Sequence, residues 1–439
     1  MPSALAHPHG HLWLPSTGGG TFTDDYHVRL ASGSGPWAFT DDGRELLDAN
    51  SGLWHLSLGY GSETLADAVS DAARTIGGSS LFRRSHLWAE RLANELAERV
   101  PLSADTRVFF TTSGSEASDA ALRIALAYYL DASRERIAFI PGAYHGVSVG
   151  PLSIMGLDGY TGGVRPVIAS LALPSYREWR DDRDRSGDRI HEKFSECGHE
   201  IAAIFLEPIQ GSGGVERLPA DYASVIMSLA ERFDIIVVAD EIACGTYRAG
   251  EMALSRSEQY PLLSPDILLL GKGLTGGVSA LSALLVKQKL VSRLLGRTTT
   301  QRLPGTTHSG NPVACAAACA TLAYLHSDES VKLRASAIEA LEACLPPLSG
   351  SPIVADVRGW GHMWAVELSP RVVSTSGWIE TVTKVALENG LLIHPLEVGS
   401  IPIFPPLITS SDVVGEIARR LMSTLARLEH MTVAHGSAQ

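Results

Sequence analysis

Apolar positions recur along this chain in two rhythms, and the changes between them mark out its elements. Helical spacing runs from Leu65 to Ile76 and again from Leu87 to Val100. Short continuous apolar runs then take turns with helical stretches. Strands are predicted at Val108 to Thr111, Ile137 to Ile140, Ile201 to Leu206, Ile235 to Ala239 and Ile267 to Leu270, with helices over Glu116 to Leu130 and Tyr222 to Arg232. Such alternation predicts an α/β domain on a largely parallel sheet, whose ligands bind outside the carboxyl ends of the strands. Ahead of it, WAFTDDGRELLDANSG reads as a hairpin turning at Asp42-Gly43. The mixed charges from Arg177 to Arg189 read as a solvated surface loop. After an alanine-rich helix, Pro312 to Leu325, the order becomes helix, two strands, helix, two short strands and a final helix from about Asp412 to Leu428. This is the pattern of a separate α+β unit, and there is no internal repeat.

A length of 439 residues suits two domains, and 45% hydrophobic with 19% charged residues suits an ordinary globular core. A net charge of −12 argues against nucleic acid or an anionic membrane as partner. No apolar run reaches spanning length, and MPSALAHPHGHLW lacks the basic start and apolar stretch of a secretory signal, so a cytoplasmic protein is expected. The five cysteines, Cys197, Cys244, Cys315, Cys319 and Cys344, are odd in number and suit reduced thiols. Cys315 and Cys319 lack further ligands nearby, and His7, His9 and His11 sit in a Pro/Gly-punctuated terminus, so no metal site is expected.

The chemistry concentrates on PDILLLGKGLTGG, where Lys272 stands at the end of a buried strand between glycines that let something bulky approach. A Walker A loop is excluded, because Asp266 and Gly273 occupy the places of its first glycine and its Ser/Thr. The glycine spacing Gly271, Gly273, Gly276 fits a dinucleotide fingerprint, but no acid follows before Asp328, and SALSALLV reads as a strand rather than a helix. The third reading is a Schiff-base lysine holding pyridoxal phosphate, which requires a remote acid for the pyridine nitrogen and a separate phosphate cradle. Candidates for both lie upstream. Thr111 to Glu116 follows a strand and opens a helix, with Ser113 and Glu116 spaced as a capping box and Gly114 and Ser115 in the anion-attracting first turn. Asp240 and Glu241 end an apolar strand, and an acid there would keep a pyridine nitrogen protonated.

The stretches TTSGSEASDAALRIA, AYHGVSVGPLSIMG, FLEPIQGSGG, VVADEIACGTYRAG, LLLGKGLTGG and THSGNPVACAAA resemble, in order and spacing, class III pyridoxal-phosphate-dependent aminotransferases of the ornithine/4-aminobutyrate type. DANSGLWHLSLGYG, DEIA and GKGLTGG are most similar to the 7,8-diaminopelargonate aminotransferase branch. The resemblance implies fold type I, with a large mostly parallel sheet domain over residues 58–325 and a small α+β domain from 1–57 and 326–439. It implies that Lys272 carries the cofactor and moves the proton, that Asp240 pairs with the pyridine nitrogen, and that Ile242 and Tyr144 cover the two ring faces. Gly114 and Ser115 then hold the phosphate with Thr307 of the neighbouring subunit of a homodimer, and Trp54 lines the substrate entrance.

The departures concern the substrate. Pro402 and His394 stand where related enzymes place a carboxylate-binding arginine, which leaves Glu207, the acid that pairs with the first of those arginines, free to attract a cation. The expected substrate is therefore an amine or carbonyl without a free α-carboxylate, small or peptide-terminal, in specialised metabolism. The counter-reading gives the carboxylate to Arg248, Arg83 or Arg84. Tyr247, in place of a family glycine, is expected to narrow or reshape the pocket. Diaminopelargonate-type transfer and same-fold epimerase, aminomutase or decarboxylase chemistry are the alternatives.

Overall fold

The computed structural model describes residues 11–12, 15, 28–129, 134–258, 260, 263–297 and 305–436; His7 and His9 lie outside them. A seven-stranded sheet forms the centre, in the order Arg107–Thr111, Ser282–Val286, Ile267–Leu270, Ile236–Asp240, Ile201–Leu206, Arg136–Phe139, Ser170–Ala172. Ser282–Val286 runs antiparallel to both neighbours, and the other pairings are parallel. The strand expected after the lysine is thus present, and with it the dinucleotide reading loses the helix it needs. Ile201–Leu206 and Ile236–Asp240 are buried throughout, which explains why they read as unbroken apolar runs rather than alternating ones.

The chain's two ends meet in smaller sheets. Trp37–Thr40 and Glu45–Asp48 form the expected hairpin, Leu30–Ser34 adds a third strand, and Leu391–Leu392 pairs in parallel with Glu45–Asp48. Val354–Trp360, Met363–Leu368 and Ser400–Ile403 form an antiparallel sheet packed on the helices Asp328–Cys344, Trp378–Glu388 and Ser411–Gly436. The architecture is a large mixed, mostly parallel sheet unit with a smaller α+β unit, as fold type I requires. Among the described residues no helix is long and apolar enough to cross a membrane, and no cluster of three or more His, Cys, Asp or Glu is arranged for a metal.

Two local expectations are corrected. Arg177 to Arg189 is not a loop but parts of the helices Tyr176–Asp181 and Arg183–Cys197. Ser175 and Glu178 form a full capping box, and Trp179, Ile190 and Phe194 pack into the core from beneath the charges. The helix after the first long strand spans Gly114–Tyr128, and only half of its capping box forms. Ser113 Oγ accepts the Glu116 N–H, but the Glu116 carboxylate takes the Thr112 N–H and hydroxyl instead of the Ser113 amide.

Candidate active site

Three strand ends and one helix start converge on a cavity of about 170 Å³. It is lined by Gly114 and Ser115 from the helix start, Asp240, Ile242 and Lys272 from beyond adjacent strands, and Glu207 and Trp54. Lys272 follows Ile267–Leu270 in a left-handed backbone conformation with φ of 45°. Gly271 and Gly276 serve close packing. A Cβ on Gly271 would lie 2.6 Å from Ser282 Oγ, and one on Gly276 would lie 2.4 Å from Leu65. The Trp54 ring sits with its centroid 4.9 Å from Lys272 Nζ, held by a 3.0 Å bond from its Nε1 to Asn50. Burial pushes the Lys272 ammonium below its ordinary pKa, against the pull of Glu207 and Asp240.

Asp240 and Glu241, adjacent in sequence, face opposite ways. The Glu241 carboxylate is fully buried and accepts bonds from the backbone N–H of Leu254 and from the N–H and hydroxyl of Ser255, so it staples a loop. Asp240 faces the cavity. One of its oxygens accepts the Ile242 N–H at 3.1 Å, and the other lies 2.8 Å from His145 Nδ1. His145 follows Tyr144 in AYHG, and no spacing signal in the sequence marks it; among the described residues its buried Nε2 has no hydrogen-bond partner.

Gly114 is required for close approach, because a Cβ there would come within 2.9 Å of Ile242 Cδ1. The segment after Tyr144 crosses the same helix start. Gly146, at φ of 113°, has no room for a Cβ above Ser115, whose Oγ accepts the Val147 N–H at 3.0 Å. Backbone amides at a helix start, a carboxylate across the cavity and a lysine between them fit a flat, phosphorylated cationic ring.

Glu207 completes the lining. Its oxygens accept the N–H of Tyr144 at 2.8 Å and of Gly211 at 3.3 Å, and burial pushes its pKa up to about 7. Tyr144 lines the cavity with its ring edge-on to Tyr160 at 5.3 Å.

A family model for class-III aminotransferases matches residues 22–425. The chain belongs to the class III aminotransferases. It is 30% identical to the adenosylmethionine-8-amino-7-oxononanoate aminotransferase of Geobacter sulfurreducens, over 92% of this chain and 93% of that one. It is also 30% identical to the putrescine–pyruvate aminotransferase of Pseudomonas aeruginosa, over 85% and 84%. The PMP-bound aminotransferase of Vibrio fluvialis shares its fold with a TM-score of 0.85 at 26% identity, covering 92% of this chain and 93% of that one. This class III aminotransferase is therefore a pyridoxal-phosphate enzyme that exchanges an amino group between an amine and a carbonyl compound.

The remaining sequence candidates lie away from the cavity lining. The Arg248 guanidinium is buried, donates to Pro405 O and to Ser51 Oγ at 3.3 Å, and is pushed down to about 9 by burial. Arg83, Arg84 and His394 are exposed. Thr307 is exposed in the turn beside Thr306, whose hydroxyl reaches Glu116 at 3.5 Å. Tyr247, expected to narrow or reshape the pocket, lies outside the cavity lining. It packs against the helix end at His326, 2.5 Å from hydroxyl to Nε2, with Arg334 stacked 4.2 Å over its ring.

Proposed function

We propose that one substrate of this aminotransferase is an amine, or the carbonyl compound derived from it, whose reacting carbon carries no free carboxylate, and that Glu207 receives a second positive charge on the amine. The carrying observation is the composition of the cavity wall: among the described residues it has two carboxylates, one lysine and no arginine. Pro402 is buried in Ser400–Ile403 opposite Ala365, so the position of the lost arginine is taken up by sheet packing. A substrate carboxylate entering this wall would meet Glu207 and Asp240 without the forked donor that carboxylates prefer. The name of the Pseudomonas aeruginosa relative pairs a diamine with pyruvate, which supports a diamine as the amine substrate and leaves the partner carbonyl open to a 2-oxo acid.

In this reading Gly114 and Ser115 hold the cofactor phosphate, Asp240 the ring nitrogen, and Ile242 and Tyr144 the ring faces. Pyridoxal phosphate supplies an electron sink for the charge left when a proton leaves the amine-bearing carbon. Lys272 is the group that takes and returns that proton at Nζ, and its burial favours the neutral amine that this role needs. Asp240, with His145 behind it, keeps a negative charge opposite the ring nitrogen. Trp54 walls off water beside Nζ. The reading extends to a homodimer, with Thr307 completing the phosphate cradle of the neighbouring subunit, and to the cytoplasm, where free cysteines such as Cys244 and Cys315 persist as thiols.

The test is a panel of amines mixed with purified holoenzyme, read by conversion of cofactor absorbance to the pyridoxamine form. Diamines and simple amines should convert it. Conversion by α-amino acids alone, with the reverse half-reaction restricted to 2-oxo acids, overturns the reading.

A further inference from the structure

Ile209–Gln210 and Glu216–Arg217 pair as a short hairpin whose tip, Gly211 to Val215, faces two ways. On one side Ser212 lines the cavity, Gly211 N–H bonds to Glu207, and Gly211 leaves no room for a Cβ beside the Trp54 ring, 2.9 Å away. On the other side the tip meets the smaller unit, where Gly214 faces the Arg358 guanidinium with Ser400 and Val398 close by. Arg358, from Val354–Trp360, donates its Nε to Gly214 O at 2.8 Å and places Nη2 3.3 Å from Glu216. Its Nη1 is fixed by Glu367 at 2.5 Å and Asp356 at 2.9 Å. Arg177 joins the same group, bonding Glu216 at 2.7 Å and Glu367 at 2.8 Å, and Arg180 pairs with Glu216 as well. Glu216 is buried and Arg358 mostly so, unlike the exposed pairs that contribute little.

We infer that Arg358 is a positioning residue for substrate recognition: by gripping Gly214 and Glu216 it sets the hairpin tip, and the tip, through Gly211 N–H, sets the Glu207 carboxylate. The chain of contacts is continuous, from Asp356 and Glu367 through the guanidinium to Gly214 O, along three residues to Gly211 N, and on to Glu207. Gly214 has φ of 91°, and a Cβ there would stand 2.9 Å from Arg358 Nη2, so the guanidinium and the tip are fitted to each other. A salt cluster that served only to join the two units would need no bond to the tip's backbone. The consequence for the reaction is specific: Arg358 acts on the amine's second charge and leaves the proton transfer at Lys272 alone. This consequence rests on the Glu207 reading above, whereas control of the tip does not.

The experiment uses holoenzyme carrying Arg358→Gln, Arg358→Lys, Glu207→Gln and the double variant Arg358→Gln/Glu207→Gln. Hydrogen exchange of a peptide covering Gly211–Val215 should quicken about tenfold in Arg358→Gln, with peptides over Ile236–Asp240 and Ile267–Leu270 unchanged. KM for a diamine such as 1,4-diaminobutane should rise about tenfold with kcat within about twofold, and this rise should vanish in the Glu207→Gln background. Arg358→Lys, which keeps the charge but not the fork, should recover only part of it. Gly214→Ala displaces the tip from the guanidinium without removing any charged side chain, and should reproduce the exchange and KM changes if Arg358→Gln does not fold. Unchanged exchange at Gly211–Val215 in both Arg358→Gln and Gly214→Ala, with only a lowered Tm, overturns the inference. So does an equal KM rise with and without Glu207. If Glu207→Gln alone leaves diamine KM untouched, the substrate reading fails, and hydrogen exchange still decides whether Arg358 holds the tip.

Discussion

His145 Nδ1 lies 2.8 Å from Asp240 Oδ2, and both side chains are closed off from solvent. With the Ile242 N–H on the other oxygen, the carboxylate is held from two sides and keeps one face toward the cavity. His145 therefore orients the acid rather than competing with a ring nitrogen for it. Asp240→Asn keeps the shape and removes the charge. A ring nitrogen losing one close ionic partner is disfavoured in its protonated form by about 1.4–4 kcal/mol, so kcat should fall roughly 10- to 1000-fold. Cofactor retention should fall far less. His145→Gln, with the charge intact but its orientation loosened, should lie between wild type and Asp240→Asn. Equal rates for Asp240→Asn and wild type would refute the role.

Lys272 is the lysine on the cavity wall, and its depressed pKa follows from burial. Borohydride treatment of the holoenzyme should fix the cofactor on Lys272, as read by peptide mapping. Lys272→Ala should keep the non-covalent contacts of Gly114, Ser115 and Asp240 while losing transamination by several orders of magnitude. A label on another lysine removes Lys272 from the chemistry.

How legible the molecule was depends on how each signal is carried. Ile236–Asp240 and Ile267–Leu270 were visible because a strand buried on both faces must be continuously apolar, and Asp240 and Lys272 stood out as charges at the ends of such runs. A large side chain in place of a glycine reads as facing the pocket, but the φ of 65° at Tyr247 turns it with the loop toward His326. The helix under Arg177 to Arg189 was masked by charge. Trp179, Ile190 and Phe194 mark its buried face, a stripe too thin to register against the ten charged residues from Arg177 to Arg189. His145, and the grip of Arg358 on the hairpin tip, join residues 95 and 144 positions apart, which no local pattern encodes.

That thin stripe is itself testable. Phe194 is 1% exposed and packs against Phe233 with ring centroids 5.9 Å apart. Phe194→Ala should cost about 3–5 kcal/mol in denaturant unfolding if the holoenzyme unfolds reversibly, whereas Arg185→Ala on the exposed face of the same helix should change stability by no more than about 0.5 kcal/mol. Equal effects would mean that the helix does not pack as described.

If Thr307 completes a neighbour's phosphate cradle, the two active sites of a dimer draw on both chains. Mixing Thr307→Ala subunits with Lys272→Ala subunits then leaves one site with both defects and the other with neither. Activity should partly return on mixing. Mixed dimers, verified by mass, that stay inactive would place the phosphate within one chain.

The pH dependence separates Glu207 from every other group on the cavity wall. Burial raises its pKa from the ordinary 4.5 to about 7, so in the free enzyme the acid is still largely protonated at pH 6 and becomes ionised above pH 7. A carboxylic acid without charge cannot hold an ammonium group strongly, so kcat/KM for a diamine should climb with pH through about 7, with a slope of one. An ammonium bound beside the carboxylate favours its charged form, so the same limb in kcat should lie at lower pH than in kcat/KM. A monoamine of similar size, with no second charge, should lack this limb, and Glu207→Gln should abolish it for diamines. The loss at pH 8 should be about 10- to 150-fold in kcat/KM, the size of a charge-assisted hydrogen bond of roughly 1.5–3 kcal/mol. A limb of equal size in Glu207→Gln, or an equal loss for monoamines, would assign the titration to another group and return Glu207 to the structural work of holding the Tyr144 and Gly211 amides.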